Sequence, residues 1–167
     1  MTRLTILEHP DERLRRKAEP VSDFGPTFQR LVDDLFETMY ASKSFGLAAT
    51  QVDVHRRVLV MDISGTGADP QVFVNPEILS RRGSCLVEEG CISVPGVNES
   101  VKRALRVHVR TQDRQGAVYE HDLEGLAAVC LQHEMDHLAG MLFIDRLPAW
   151  RRLRLRARQE RPLAAAQ

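Results

Sequence analysis

In the segment Gln132-His133-Glu134-Met135-Asp136-His137-Leu138, two histidines stand four residues apart, with a glutamate directly after the first. On a helix of about 3.6 residues per turn, positions four apart share a face, so both imidazoles can reach one ion. Glu134 lies one step round, where it can face a water on that ion. A base beside a metal-activated water is hydrolytic machinery. From 126 to 138 the chain is apolar almost all round, interrupted by a polar stripe of Gln132 and Asp136, which describes a helix buried on most sides. Two histidines and a glutamate on such a helix each need a partner, because an unpaired buried polar group costs on the order of 1–3 kcal/mol. A shared metal would supply it. Taken alone, the short pattern also arises by chance on solvated helices.

Two histidines do not complete a metal site, since a catalytic ion usually takes three protein ligands and keeps one position for water. One metalloprotease extension of the motif ends in a third histidine, and that position is Phe143 here, although the glycine it requires is present as Gly140. Another uses a downstream acid, yet after Asp145 the only acid is Glu160, inside an arginine-rich tail. The cysteines remain. Cys130 shares the apolar face of the helix, but from 130 to 137 a helix rises about 10 Å, too far for three bonds of about 2 Å to meet; it reads as core. Cys85 lies in a strand-like run over 84–87 and can pack as a small hydrophobe. Cys91 sits in Glu88-Glu89-Gly90-Cys91-Ile92-Ser93-Val94-Pro95-Gly96, where glycine and proline bracket the thiol in a loop-like setting that lets backbone approach an ion. Spacing favours Cys91, with the other two cysteines as alternatives.

The elements that must position these residues show in the hydrophobic periods. A chain of 167 residues suits one domain, long enough to bury about two-thirds of its unfolded surface. Residues 27–40 place Phe28, Leu31, Val32, Leu35, Phe36 and Met39 at helical spacing, with Asp33, Asp34 and Glu37 opposite, which predicts an amphipathic helix. Segments 57–63, 71–75 and 104–110 are rich in β-branched residues; in the last, Leu105, Val107 and Val109 alternate with Arg106, His108 and Arg110. These are predicted strands. Asp113-Arg114-Gln115-Gly116 is turn material before 117–123, so 104–123 reads as a β-hairpin. A buried helix follows over about 125–139. Without regular βαβ alternation, the expected class is α+β: antiparallel strands packed around the buried H-E-x-x-H helix, with an N-terminal amphipathic helix and a C-terminal basic helix.

A hydrophobic content of 43% with 28% charged residues places the chain among globular proteins, and no apolar run approaches the roughly 18 residues of a membrane span. No membrane partner is expected. The first residues pass at once to Glu8, His9 and Pro10, unlike a secretory signal, so the expected address is cytoplasmic. Three cysteines, an odd number, favour free thiols or a metal ligand over a disulfide framework. The formal net charge of zero conceals an asymmetry: residues 146–167 hold seven arginines and one acid, leaving 16 of 23 basic and 22 of 23 acidic residues in the body. A basic tail on an acidic body suits an anionic partner such as nucleic acid, or simply a solvated face. Within it Leu147, Trp150, Leu153 and Ala157 recur at rough helical spacing, predicting a terminal helix docked by that face.

Read together, Gly46-Leu47-Ala48-Ala49-Thr50-Gln51-Val52, Glu89-Gly90-Cys91-Ile92-Ser93 and the H-E-x-x-H segment closely resemble, in this order, the three motifs of peptide deformylases. The resemblance extends from His9-Pro10-Asp11-Glu12-Arg13-Leu14-Arg15 to about Asp145, nearly the whole chain. It implies a cytoplasmic enzyme of bacteria or organelles that removes the formyl group from the N-terminal formylmethionine of nascent polypeptides and releases formate. A single catalytic domain over 1–147 is expected, with 148–167 as a basic helical extension of it, in a monomer. The implied cofactor is one divalent ion, Fe²⁺ in the cell, whose place Zn²⁺, Ni²⁺ or Co²⁺ can take. By matching position, Cys91, His133 and His137 would be the ligands, Glu134 the general acid and base, and Gln51 with the Ile92 amide the groups that orient the formyl oxygen. Substrate would bind against Phe45, Gly46, Val87, Gly90, Leu126, Val129 and Cys130, the backbone near Gly46 and Gly90 pairing with an extended peptide by strand addition. Outside the resemblance, the apolar members of that set read as ordinary core and Gln51 as a solvated or turn-stabilising amide. The terminal helix is implied to contact ribosomal RNA. Three departures stand out: Ser44-Phe45-Gly46 replaces the usual glycine-apolar-glycine start, Ile92 replaces leucine, and Asn98 stands where many members carry arginine. They imply a bulkier pocket rim and weaker contacts at its mouth. A metallopeptidase and a non-catalytic, metal-stabilised ribosome-associated module are the alternative readings, separated from the first by formate release.

Overall fold

Five strands pair antiparallel in the order β1 (Gly46–Ala48), β2 (Val58–Met61), β3 (Gln71–Arg82), β6 (Arg106–Gln112) and β7 (Val118–Glu124). A separate hairpin joins β4 (Cys85–Cys91) to β5 (Val94–Arg103) in the computed structural model, which describes residues 2–159. Helix α1 (Pro26–Ala41) covers one face of the sheet and helix α2 (Leu126–Leu138) the other. Strand β2 shows how four residues serve both helices. Val58 and Val60 pack with Val32, Leu35 and Met39 of α1, while Leu59 and Met61 pack with Ala128, Leu131 and Leu138 of α2. Alternate side chains of a strand face opposite ways, so a short apolar run is buried on both sides. A third cluster seats the β4–β5 hairpin, through Val94 and Val101, on Leu7, Leu14, Leu142, Phe143 and Leu147.

This is the expected α+β layout, and α1 falls within a residue of its predicted span. The predicted hairpin over 104–123 forms, with register pairs from Arg106 with Glu124 to Gln112 with Val118. Its turn is closed by Asp113, whose Oδ1 accepts from the amides of Gln115 (2.8 Å) and Ala117 (2.9 Å). Strand β3 runs to Arg82, well beyond the predicted residue 75. Its second half is mostly exposed, and the adjacent Ile78 and Leu79 give way to Ser80, Arg81 and Arg82, so no apolar alternation marks it; pairing of Arg81 and Arg82 with Val107 and Arg106 holds it extended.

Two expectations are corrected. The segment around Cys91 is not a loop but the end of strand β4, with Ile92 and Ser93 as a two-residue turn and Cys91 opposite Val94. Gly90, Pro95 and Gly96 carry weak strand preference, and tertiary pairing overrides it. The register shift between Gly90 and Cys91 skips residues 95–97 on β5, and such a bulge re-aims the side chain beside it. The other correction concerns helix α3 (Ala149–Gln159). It docks through Leu155, 9% exposed and packed in the third cluster, whereas Trp150 and Leu153 are 57% and 64% exposed and Ala157 is also outside. Arg151 and Arg154 lie over the Trp150 ring at 5.1 and 5.7 Å, so that indole is covered by cations rather than by core. The remainder of the predicted basic extension, 160–167, lies outside the described residues.

Candidate active site

Helix α2 is fixed at both ends and in the middle before it presents any chemistry. The Gly125 amide donates to the Leu105 carbonyl at 2.9 Å, just ahead of the first turn. At the far end Gly140 adopts φ +74°, and a Cβ there would run into the Arg15 carbonyl, so glycine is required by both conformation and space. Between them the Gln132 carboxamide accepts from the Ala104 amide at 3.0 Å and donates to the Ala104 and Ala128 carbonyls at 2.9 and 2.8 Å. The polar stripe of Gln132 and Asp136 is therefore buried and bonded to the rest of the fold.

With the helix anchored, His133 and His137 converge with Cys91 from the end of β4, and their ligand atoms all lie within 4.8 Å of one another. Cys91 Sγ is 3.3 Å from His137 Nε2. His133 Nδ1 is 2.8 Å from Glu89 Oε2. A carboxylate only accepts, so Nδ1 must carry the proton and Nε2 is left for an ion. Burial alone would raise the Glu89 pKa, but bonds from Arg103 and His133 more than offset it and hold the carboxyl down at about 2. Burial likewise lowers both histidines. His137 stays well below its ordinary value and is neutral, while bonds to Cys91 and Glu89 push His133 up to about 10. An ion at Nε2 would compete with a proton there.

Behind Glu89 runs a chain of buried charge. Arg103 Nε and Nη2 donate to Glu89 at 2.6 and 2.9 Å, Arg103 Nη1 donates to Asp136 at 2.7 Å, and Asp136 in turn accepts from Arg146. Each charge has a partner, as burial requires. None of these four residues was singled out as a site residue from the sequence. One signal was present: Glu89 and Asp136 are acids inside two motifs, and Asp136 lies on a helix with little solvated face. Their partner Arg103 carries no local mark.

Glu134 is buried, and its Oε2 has no hydrogen-bond partner among the described residues; the same holds for His137 Nδ1. Buried polar atoms are seldom left so. Burial drives the Glu134 carboxyl up to about 7. Gly46 lies against it: a Cβ at that position would come within 2.8 Å of both Cys130 Sγ and Glu134 Oε1. Gln51 is buried as well, which removes the solvated alternative, while its bond across the 49–52 turn agrees with the turn-stabilising one. Its Oε1 accepts from the Ala48 amide at 2.9 Å, which fixes the amide so that Nε2 reaches Ser93 Oγ at 3.1 Å and Cys91 Sγ at 3.8 Å.

These groups stand at the head of a cleft of about 470 Å³ lined by Phe45, Gly46, Gln51, Val87, Gly90, Cys91, Ile92, Leu126, Val129, Cys130, His133 and Glu134. Thus every site residue predicted from the sequence faces one cavity, except His137, which lies buried behind it. Phe45 and Leu126 form the rim at 46% and 51% exposure, so neither is core, whereas Val129 is buried. Lys43, Ser44, Glu88 and Glu89 also line it. Ser44 Oγ donates to the Gly46 carbonyl at 2.7 Å, and Asn98 Oδ1 lies over Gly90, its register partner. One soft thiolate and two imidazoles, one with its second nitrogen held by a carboxylate, form a donor set that fits a divalent transition metal.

The amino-acid sequence matches the polypeptide deformylase family over residues 3–153. The chain belongs to the polypeptide deformylase family. A peptide deformylase of Chromobacterium violaceum is 50% identical over 158 residues, 95% of this chain and 95% of that protein. The crystal structure of a peptide deformylase from Legionella pneumophila superposes with a TM-score of 0.89 at 44% identity, covering 96% of this chain and 100% of the other. A plant peptide deformylase superposes with a TM-score of 0.90 at 34% identity, covering 96% and 89%. The deformylase is accordingly a metal-dependent hydrolase that deformylates nascent polypeptides. Among the described residues no helix is long and apolar enough to cross a membrane.

Proposed function

We propose that Cys91, His133 and His137 hold one divalent ion, Fe²⁺ in the cell with Zn²⁺, Ni²⁺ or Co²⁺ as substitutes, and that Glu134 is the general acid and base of formyl hydrolysis. The observation that carries this reading is the meeting of the three donor atoms within 4.8 Å beside a buried carboxylate whose Oε2 lacks a partner among the described residues. When bound, the ion supplies Lewis acidity, which polarises a carbonyl and acidifies water.

The side chains do the rest. Glu134, poised near neutrality by burial, takes a proton from the attacking water and delivers it to the leaving amine. Gln51, held by Ala48, turns its second N–H toward the formyl oxygen, and the Ile92 amide at the β4–β5 turn is a second donor for the charge that develops there. Among the described residues, strands β1 and β4 each pair on one side only, and Gly46 and Gly90 on them line the cleft. An extended peptide adding to these edges would be read by its backbone, with the methionine side chain against Val87, Leu126, Val129 and Cys130. Phe45 then bounds the pocket mouth.

The catalytic unit spans 1–147 and the basic extension 148–167 belongs to the same domain, in a cytoplasmic monomer. On α3 the exposed Arg152, Arg154 and Arg156 offer a phosphate-binding face for ribosomal RNA. Deleting 148–167 should weaken ribosome binding in a salt-dependent manner, and unchanged binding across salt would refute this role.

Anaerobic purification with metal analysis, followed by formate release from a formyl-Met peptide, tests the centre. Wild type should release formate with iron or nickel bound, and Glu134→Ala should be slower by about 10²–10⁴-fold. A variant as fast as wild type, or an iron-loaded wild type without formate release, overturns the assignment.

A further inference from the structure

On the far side of α2 from the catalytic cleft lies a second cavity of about 510 Å³, bounded by the ends of β3 and β5 and the β3–β4 turn. Five of its lining residues are cationic, Arg57, Arg81, Lys102, Arg103 and Arg146, and its one acid is Asp136. Arg103 and Arg146 are neutralised by Asp136 and by Glu89 behind it. The other three cations have no such partner. Arg57 Nη2 donates to the Pro76 carbonyl at 2.6 Å, and among the described residues neither it nor Arg81 or Lys102 makes an ion pair. Three cationic residues without an ion pair thus line one concavity in a chain whose formal net charge is zero.

We infer that this cleft is a binding site for a phosphoryl oxyanion, either free phosphate or a phosphate monoester. Like charges gathered in a concavity repel one another, and low-dielectric walls focus their field on whatever anion enters. A compact dianion offsets that repulsion better than a single carboxylate can. Two arginines offer planar forks that match phosphate oxygens, and Lys102 adds a point charge. The exposed β3–β4 turn contributes backbone at Gly83, which adopts φ +64°, and the Ser84 hydroxyl on the same wall. The cavity volume accommodates a small phosphorylated molecule. This site lies outside the catalytic centre, so occupancy requires neither substrate nor the ion at Cys91.

The test uses zinc-loaded, full-length enzyme labelled with ¹⁵N and titrated separately with inorganic phosphate and adenosine monophosphate. Saturable shifts are expected at the Gly83, Ser84 and Ala104 amides. The double variant Arg81→Gln, Lys102→Gln should bind at least about tenfold more weakly, with unchanged melting temperature and formate release, because both side chains are exposed and remote from the reaction. Equal affinity for the two probes assigns the cleft to the free anion; tighter adenosine monophosphate binding assigns it to a phosphoryl group on a larger molecule, and either supports the site. Shifts centred on Cys91 and His133, no saturable shift, or undiminished binding by the double variant overturn it.

Discussion

Glu89 on β4 holds His133 of α2 by a hydrogen bond of 2.8 Å, and the same carboxylate is gripped by Arg103 of β5. One acid thus ties the strand that bears Cys91 to the helix that bears both histidines. Glu89→Gln should lower metal affinity by about 10–100-fold, since it weakens the partner that orients the His133 ring. Glu89→Ala should in addition destabilise the fold by about 3–5 kcal/mol, because it leaves Arg103 short of a buried counter-charge. Competition titration against a chelator and urea unfolding would measure the two effects; an unchanged metal affinity in both variants would exclude the positioning role.

Gly46→Ala should nearly abolish activity while the chain still folds. A methyl group at that position would meet Cys130 Sγ and Glu134 Oε1 at 2.8 Å and Glu134 Cγ at 2.9 Å, and overpacking of this kind costs about 1–3 kcal/mol. Because the displaced group is the proposed base, kcat should fall more than the melting temperature suggests. Adding Cys130→Ala should recover stability but little rate. Recovery of full rate would show that the thiol contact alone mattered.

Metal-free enzyme should grow less stable between about pH 4.5 and 7 on account of Glu134. Its folded carboxyl titrates at about 7 against an ordinary value of 4.5, so the folded state binds this proton more tightly than the unfolded state. The group is therefore neutral and harmless in acid, and its burial penalty develops as pH rises through that window, then stays constant above it. Glu134→Gln should consequently stabilise the metal-free protein by up to roughly 3 kcal/mol at pH 8 and by almost nothing at pH 4. Chemical unfolding at several pH values checks this; a gain that is independent of pH would contradict it.

The terminal helix supplies a contrast between neighbours. Leu155→Ala should cost about 2–3 kcal/mol, as it opens a gap in the cluster it shares with Leu7, Val101 and Leu147. Leu153→Ala, two residues away and exposed, should change stability by less than about 0.5 kcal/mol. Thermal melting of the two variants separates them, and a larger cost for Leu153→Ala would mean that α3 docks by the face its apolar spacing suggested.

That last contrast shows where sequence patterns stop. Trp150 and Leu153 recur at a helical period as well as any core pair, but period fixes only which residues share a face. Which face is covered depends on what the rest of the chain brings to it, and here the β4–β5 hairpin and Leu147 meet Leu155. The Cys91 segment carries no sequence mark of its strand for a similar reason: glycine and proline weaken local preference, while pairing with β5 is a non-local gain.

Residue type and spacing alone determined the α1 and α2 helices, the 104–123 hairpin, the H-E-x-x-H constellation and the order of three family motifs, because each is a local periodicity or a short run of fixed chemistry. Tertiary structure alone decided that Cys91 meets His137 at 3.3 Å across 46 positions, that Gln51 turns its amide nitrogen toward the thiol, and that Asp136, Arg103 and Glu89 join in one buried chain. It also gathered Arg57, Arg81 and Lys102 around a second cleft. Charges distant in sequence carry no mark of their partners, since pairing is set by desolvation after the strands and helices have closed around them.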